Sequence, residues 1–130
     1  MTSEDWKIVE FTLLSPFSSV KLKIDNYNVS IVCEQEKPLH YCFVVYIDGI
    51  FKYKWLMEDC DIRRRFYQQH TKSMLNSKQI KQLKHKSKYV REKIKKNMSC
   101  KYYLPYWKSF KSLKSHFIRN NDSIELIEVT

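Results

Sequence analysis

Between Arg63 and Lys101 stand fourteen Lys or Arg residues and a single acid, Glu92. Those thirty-nine residues carry +13, whereas the whole chain carries +10, which leaves the other ninety-one at −3. On a helix, like charges three and four positions apart repel by a few tenths of a kcal/mol per pair. Almost nothing inside the segment offsets that repulsion. The segment therefore reads as a charged insertion, and the rest of the chain has to supply the packed domain around it.

At 130 residues the chain has the size of one domain with one core. Hydrophobic residues at 43% and aromatic residues at 15% are globular values. One glycine, Gly49, excludes glycine-rich phosphate loops and the dinucleotide fingerprint, both of which need several positions without a Cβ. No stretch approaches the ~20 apolar residues of a membrane span, and Met1-Thr2-Ser3-Glu4-Asp5 is acidic where a signal peptide is basic. The expectation is a cytoplasmic protein with no membrane contact. Cys33, Cys42, Cys60 and Cys100 stand singly and read as reduced, mostly buried thiols. Cys33 with His40-Tyr41-Cys42 is the one cluster in which zinc could be sought, but the paired close spacings of a zinc site are missing.

The flanking sequence reads largely as β-structure. Residues 6–14, β-branched and aromatic up to Ser15-Pro16, read as a first strand. Val20, Leu22 and Ile24 alternate with lysines, and Val29, Ile31 and Cys33 repeat the alternation after a turn at Asp25-Asn26. Leu39–Ile47 and Ile50–Leu56 flank Asp48-Gly49, a pair suited to a type I′ hairpin turn. That register predicts one apolar core face from Cys42, Val44, Tyr46, Phe51, Tyr53 and Trp55. A second face, Tyr41, Phe43 and Val45 beside Lys52 and Lys54, is either covered or a stacking surface.

Glu58-Asp59-Cys60-Asp61 opens a helix whose later residues are Arg63-Arg64-Arg65, the order the helix dipole prefers. Gln69–Asn76 reads as a break. Ile80, Leu83, Val90 and Ile94 then make a narrow apolar seam on one basic helix over 77–97. Tyr102 to Trp107 is an extended aromatic run. Ser109 caps a helix to Asn120 with Phe110, Leu113, Phe117 and Ile118 on one face, and Asn120-Asn121 stops it in a left-handed turn. Ser123–Val129 is a final strand. The expected fold is α+β: an antiparallel sheet of about five to six strands and about three helices, one of them strongly basic. It is a single domain over 1–130, with the basic helical segment of about 58–97 set between the N-terminal sheet and the C-terminal helix and strand.

The acids are scattered, so the carboxylate cluster that a metal-dependent nuclease needs is not visible, and Asp5-Trp6-Lys7 lacks an upstream partner. His70 near the arginines has no second catalytic group, and the zinc deaminase pattern is absent. These observations predict a protein that is not an enzyme and needs no cofactor. A solvated lysine face without a task normally carries interleaved glutamates, and this one does not. Arg63, Arg64, Arg65, Lys78, Lys81, Lys84, Lys88, Arg91 and Lys95 are the predicted contacts to DNA or RNA phosphates or to an acidic partner. Tyr102, Tyr103, Tyr106 and Trp107 adjoin them and either stack on bases or fill the core.

Trp55-Leu-x-Glu58-Asp59-Cys60, Arg63-Arg-Arg-Phe66, Pro105-Tyr-Trp107-x-Ser-Phe110-Lys-x-Leu113-Lys and Asn120-Asn-x-Ser123-Ile-Glu-Leu126 lie between residues 55 and 126. In these residues the chain resembles a family of small accessory proteins encoded by phages and prophages. Proteins of this kind often counter host defence, and some resemble anti-CRISPR inhibitors of Cas nucleases. The resemblance implies a non-enzymatic anti-defence protein whose partner is a Cas nuclease or another host nucleoprotein. It carries over no catalytic residue. The alternative expectation is a general DNA- or RNA-binding accessory factor of phage replication or transcription. A metal-dependent nuclease comes last.

Overall fold

In the computed structural model, which describes residues 1–130, the elements in chain order are α1 (Ser3–Thr12), β1 (Ser19–Ile24), β2 (Tyr27–Lys37), β3 (His40–Ile47), α2 (Lys54–Met57), α3 (Asp61–Phe66), β4 (Gln68–Ser73), α4 (Ser77–Leu83), α5 (Lys88–Asn97), β5 (Ser99–Leu104), β6 (Tyr106–Trp107), α6 (Phe110–Asn120) and β7 (Ile124–Val129). The fold is α+β as expected, with six helices in place of about three. Antiparallel pairing orders the main sheet β6-β3-β2-β1-β7, and β4 and β5 form a separate two-stranded ribbon. The chain divides into two compact units, Met1–Gln68 with Leu104–Thr130, and Gln69–Tyr103.

The larger unit holds the main core. Register places Val20, Leu22 and Ile24 beside Ile31, Val29 and Tyr27, and places Val29, Ile31 and Cys33 beside Ile47, Val45 and Phe43. This one face is fully buried at Val20, Ile24, Ile31 and Val45. The hairpin register places the core on the opposite side of β3, through Cys42, Val44 and Tyr46, and of these only Cys42 is buried. In the structure Val45 and Ile47 are buried, whereas Val44 and Tyr46 are only half-buried. Leu113 and Phe117 of α6 and Phe66 of α3 complete the core. Edge-to-face rings link Tyr27 to Phe66 at 5.4 Å, Phe66 to Phe117 at 5.6 Å, and Phe43 to Phe110 at 5.9 Å. Trp107 is buried too, and its indole N–H donates to the Phe66 carbonyl at 3.0 Å.

Residues 6–14 are not a strand. Thr2 and Asp5 form a reciprocal capping box that starts α1, a device worth about 1 kcal/mol. Trp6, Val9 and Leu13 then recur at helical spacing and are buried. Ile8 and Phe11 fall on the outward side and are exposed.

The Asp48-Gly49 turn forms, with φ of 54° and 75°, but the hairpin stops at the Ile47–Ile50 bridge. Residues from Lys54 wind into α2 instead. The edge of β3 that Phe51 and Tyr53 were expected to occupy is taken by β6, with Phe43 beside Trp107 and Val44 beside Tyr106. The Val45 N–H donates to the Pro105 carbonyl on the same edge. A segment sixty residues downstream outcompetes the local one.

The end of α6 also differs. Ile118 is exposed, and Asn121 caps the helix with φ −135°, extended and not left-handed. Its side-chain amide donates to the Phe117 carbonyl at 3.0 Å, which satisfies a helix-end acceptor without a left-handed residue.

In the smaller unit, the expected break at Gln69–Asn76 is largely the strand β4, and the expected single helix over 77–97 is two. β4 is polar because most side chains of an exposed two-stranded ribbon face water, so no alternation is imposed on it. Asn76 and Gln79 make a capping box for α4, and Ser87, between Leu83 and Val90, accepts from the Val90 N–H and starts α5. The turn folds the seam back on itself. Leu83 becomes buried, and Leu75, Leu83, Ile94 and Met98 line a cavity of about 260 Å³. One straight helix would have left that seam open to water. Ile80 and Val90 remain exposed.

Candidate nucleic-acid interface

The division into two units also divides the charge. Gln69–Tyr103 contains eleven Lys or Arg residues and one acid, Glu92, giving +10. The remaining ninety-five residues hold thirteen basic and thirteen acidic side chains and are neutral. The chain's whole net charge therefore sits in thirty-five residues.

The predicted contacts separate along the same boundary. Arg63, Arg64 and Arg65 belong to α3 in the neutral unit. Arg64 lies 3.6 Å from Asp59, and Arg63 lies 3.9 Å from the same carboxylate. Arg65 bridges Asp25 and Asp61, the latter at 2.8 Å, reaches the Asn121 side-chain oxygen at 3.3 Å and lies over the Tyr27 ring. Bonds from Arg65 and from the Tyr27 hydroxyl hold the Asp61 carboxyl below its ordinary value. Burial pushes Asp25 up, yet its carboxyl is also lowered, because the Ser123 N–H, Arg65 and the Asp122 N–H donate to it. The arginine triplet is thus matched by acids that its own unit supplies.

Lys78 and Lys81 lie on α4, Lys84 caps it, and Lys88, Arg91 and Lys95 lie on α5. The five lysines are exposed, whereas Arg91 is half-buried with its Nε enclosed. None of the chain's ion pairs involves a basic side chain of this unit. Lys72, Lys86, Lys93, Lys96 and Lys101, not singled out from the sequence, are exposed in the same unit. Such a concentration of unpaired ammonium groups sets up a positive field that attracts polyanions and is screened by salt.

The aromatic run separates as well. Trp107 is a core side chain, and Tyr106 pairs with Val44 in the main sheet. Tyr102 and Tyr103 lie on β5 in the basic unit. The Tyr102 ring stacks on His70, with centroids 5.3 Å apart and planes 18° apart. Sequence reasoning did not see this pair, since Gln69–Asn76 lacks the pattern of a strand and nothing local brings residue 70 to residue 102.

No group of three or more His, Cys, Asp or Glu side chains is placed to hold a metal ion. Cys33 and Cys42 are buried, Cys60 is half-buried, and Cys100 is exposed. No helix is long and apolar enough to cross a membrane. Compared with protein-family models, with curated proteins and with solved structures, the chain matches none. The residues from which a resemblance to small phage proteins is expected all lie in the neutral unit, where Trp107, Leu113 and Phe66 are core side chains.

Proposed function

We propose that the chain is a non-enzymatic phage anti-defence protein that acts on a nucleoprotein, a Cas nuclease foremost, by engaging nucleic-acid phosphates through its basic unit. The observation that carries this reading is the concentration of the entire +10 in Gln69–Tyr103, with no ion pair to neutralise it. Phosphate contacts need positive charge and no base-reading geometry. The likeness to phage accessory proteins supports the setting, and a protein of this charge would occupy a guide-RNA or DNA channel or cover the RNA exposed there.

The test is a gel-shift and pull-down series with naked DNA, naked RNA and a guide-loaded Cas nuclease at low and high salt, together with a cleavage assay. Protection of the target DNA, lost when Lys81, Lys84, Lys88 and Lys95 are changed together to Glu, supports the reading. These four lysines are exposed, so the variant should keep its fold. The same charge also favours a second reading, an accessory factor of phage replication or transcription. That reading predicts tight binding to naked nucleic acid with no protection from cleavage. If neither nucleic acid nor nuclease is bound, both readings fall.

A further inference from the structure

We infer that the β4–β5 ribbon is a base-stacking platform, so that the ligand of the basic unit is single-stranded nucleic acid and not duplex. The inference rests on the phosphate-binding reading above and names the ligand class within it. A centroid distance of 5.3 Å at an interplanar angle of 18° is an offset stack, and it places His70 and Tyr102 on one face of the ribbon. Side chains alternate along a strand, so Lys72 and Cys100 project from that same face, and both are exposed. Tyr102 remains 40% exposed although its neighbour stacks on it.

The ring is not one of the buried side chains of this unit's small core, of which Leu83 is the one buried residue. An ordered, half-open aromatic pair beside a lysine combines a π-face with a countercharge, the pairing that single strands require. In a duplex the bases are stacked on one another, so their faces are closed to a protein ring and only groove edges and backbone can be reached. The lysines point the same way. Lys88 and Lys95 lie on one flank of α5, while Lys93 and Lys96 lie on others. A flexible strand can follow cations distributed around the unit, whereas a straight duplex meets one side.

Fluorescence anisotropy with the full chain would compare labelled oligo(dT), oligo(U) and a DNA duplex of equal phosphate count. The single strands are expected to bind at least roughly tenfold more tightly than the duplex. Tyr102→Ala should lose roughly tenfold or more on single strands and leave duplex binding nearly unchanged, while Tyr102→Phe retains wild-type affinity. Preference for dT or for U assigns the strand as DNA or RNA, and either supports the inference. Ultraviolet crosslinking of wild-type protein to oligo(dT) or oligo(U), mapped to the Tyr102 peptide, decides the matter should Tyr102→Ala unfold. Equal affinity for duplex and single strands, or an equal loss on both in Tyr102→Ala, overturns the inference and leaves the phosphate-binding reading standing. Absence of binding to any of the three probes removes both.

Discussion

Arg65 joins residues from three separate stretches of the chain: Asp25 at the β1–β2 turn with Tyr27 in β2, Asp61 in α3, and Asn121 beyond α6. Its planar fork serves both carboxylates at once, which a single ammonium does not reproduce. Arg65→Lys is therefore expected to lower the melting temperature nearly as much as Arg65→Ala, while leaving oligonucleotide affinity at low temperature unchanged. A thermal melt run beside an anisotropy titration checks both halves; a loss of affinity equal to that of the lysine variants would put Arg65 back in the interface. The carboxyls of Asp25 and Asp61 are lowered from 3.8 in the folded chain. A depressed carboxyl contributes stability that is complete above the unfolded value and disappears as pH falls through the folded one.

His116 adds a second, milder limb. Burial lowers its pKa from 6.5, even though its Nε2–H donates to the Arg64 carbonyl at 3.0 Å. The unfolded chain takes up that proton first, so stability is full above 6.5 and declines as pH falls toward the lowered folded value. The melting temperature should thus begin to fall below 6.5 and fall more steeply below 3.8. His116→Gln is expected to flatten the first limb and Asp61→Asn to flatten the second. Calorimetry across pH would show whether the two limbs separate in this way.

At the scale of elements, one stop signal shapes the basic unit. Ser87 ends what the apolar spacing alone would continue as one helix, and its hydroxyl takes the Val90 N–H. Ser87→Ala should cost about 1 kcal/mol, read as faster amide exchange along α5. The unit's core is small, and Leu83 is its one buried side chain. Leu→Ala changes in cores cost about 2–5 kcal/mol, so Leu83→Ala is expected to open this unit while the sheet persists. Limited proteolysis should then cut within Gln69–Tyr103 and spare the β1–β3 meander. In that meander Gly49 has φ 75° with no neighbour within 4 Å of an added Cβ. Gly49→Ala therefore introduces backbone strain and no clash, a cost of about 1 kcal/mol measurable by denaturant titration.

For the whole molecule the consequence of the charge division is a salt dependence confined to one unit. Single-strand affinity should fall with salt at a slope of roughly −0.7 per phosphate neutralised, and each exposed lysine removed from the interface should flatten it. Substitutions at Lys21 or Lys23 on β1 should leave the slope unchanged, since they lie in the neutral unit.

Much of this was legible in the chain itself. The alternation in Val20–Ile24 and Val29–Cys33, the turn residues Asp25 and Asp48-Gly49, the Ser109 cap and the unbalanced lysines are local or compositional, and local chemistry is sufficient for them. The capping box at Thr2 and Asp5 was present as well, but the β-branched and aromatic residues after it outweighed the helical spacing of Trp6, Val9 and Leu13.

What only the tertiary structure decided are the choices between competing partners. β6 and not Phe51–Trp55 takes the edge of β3, and Phe110 of α6 packs on the Phe43 side of that strand. Arg65 meets acids forty residues before it and four residues before it, and so leaves the cationic surface. His70 meets Tyr102 across a ribbon with no pattern of its own. Apart from the Arg65–Asp61 pair, each of these is a contact between residues far apart in sequence, and its free energy depends on what else could occupy the same edge or charge. The lysines of Gln69–Tyr103 were evident from composition; that they are left without partners was decided by the fold.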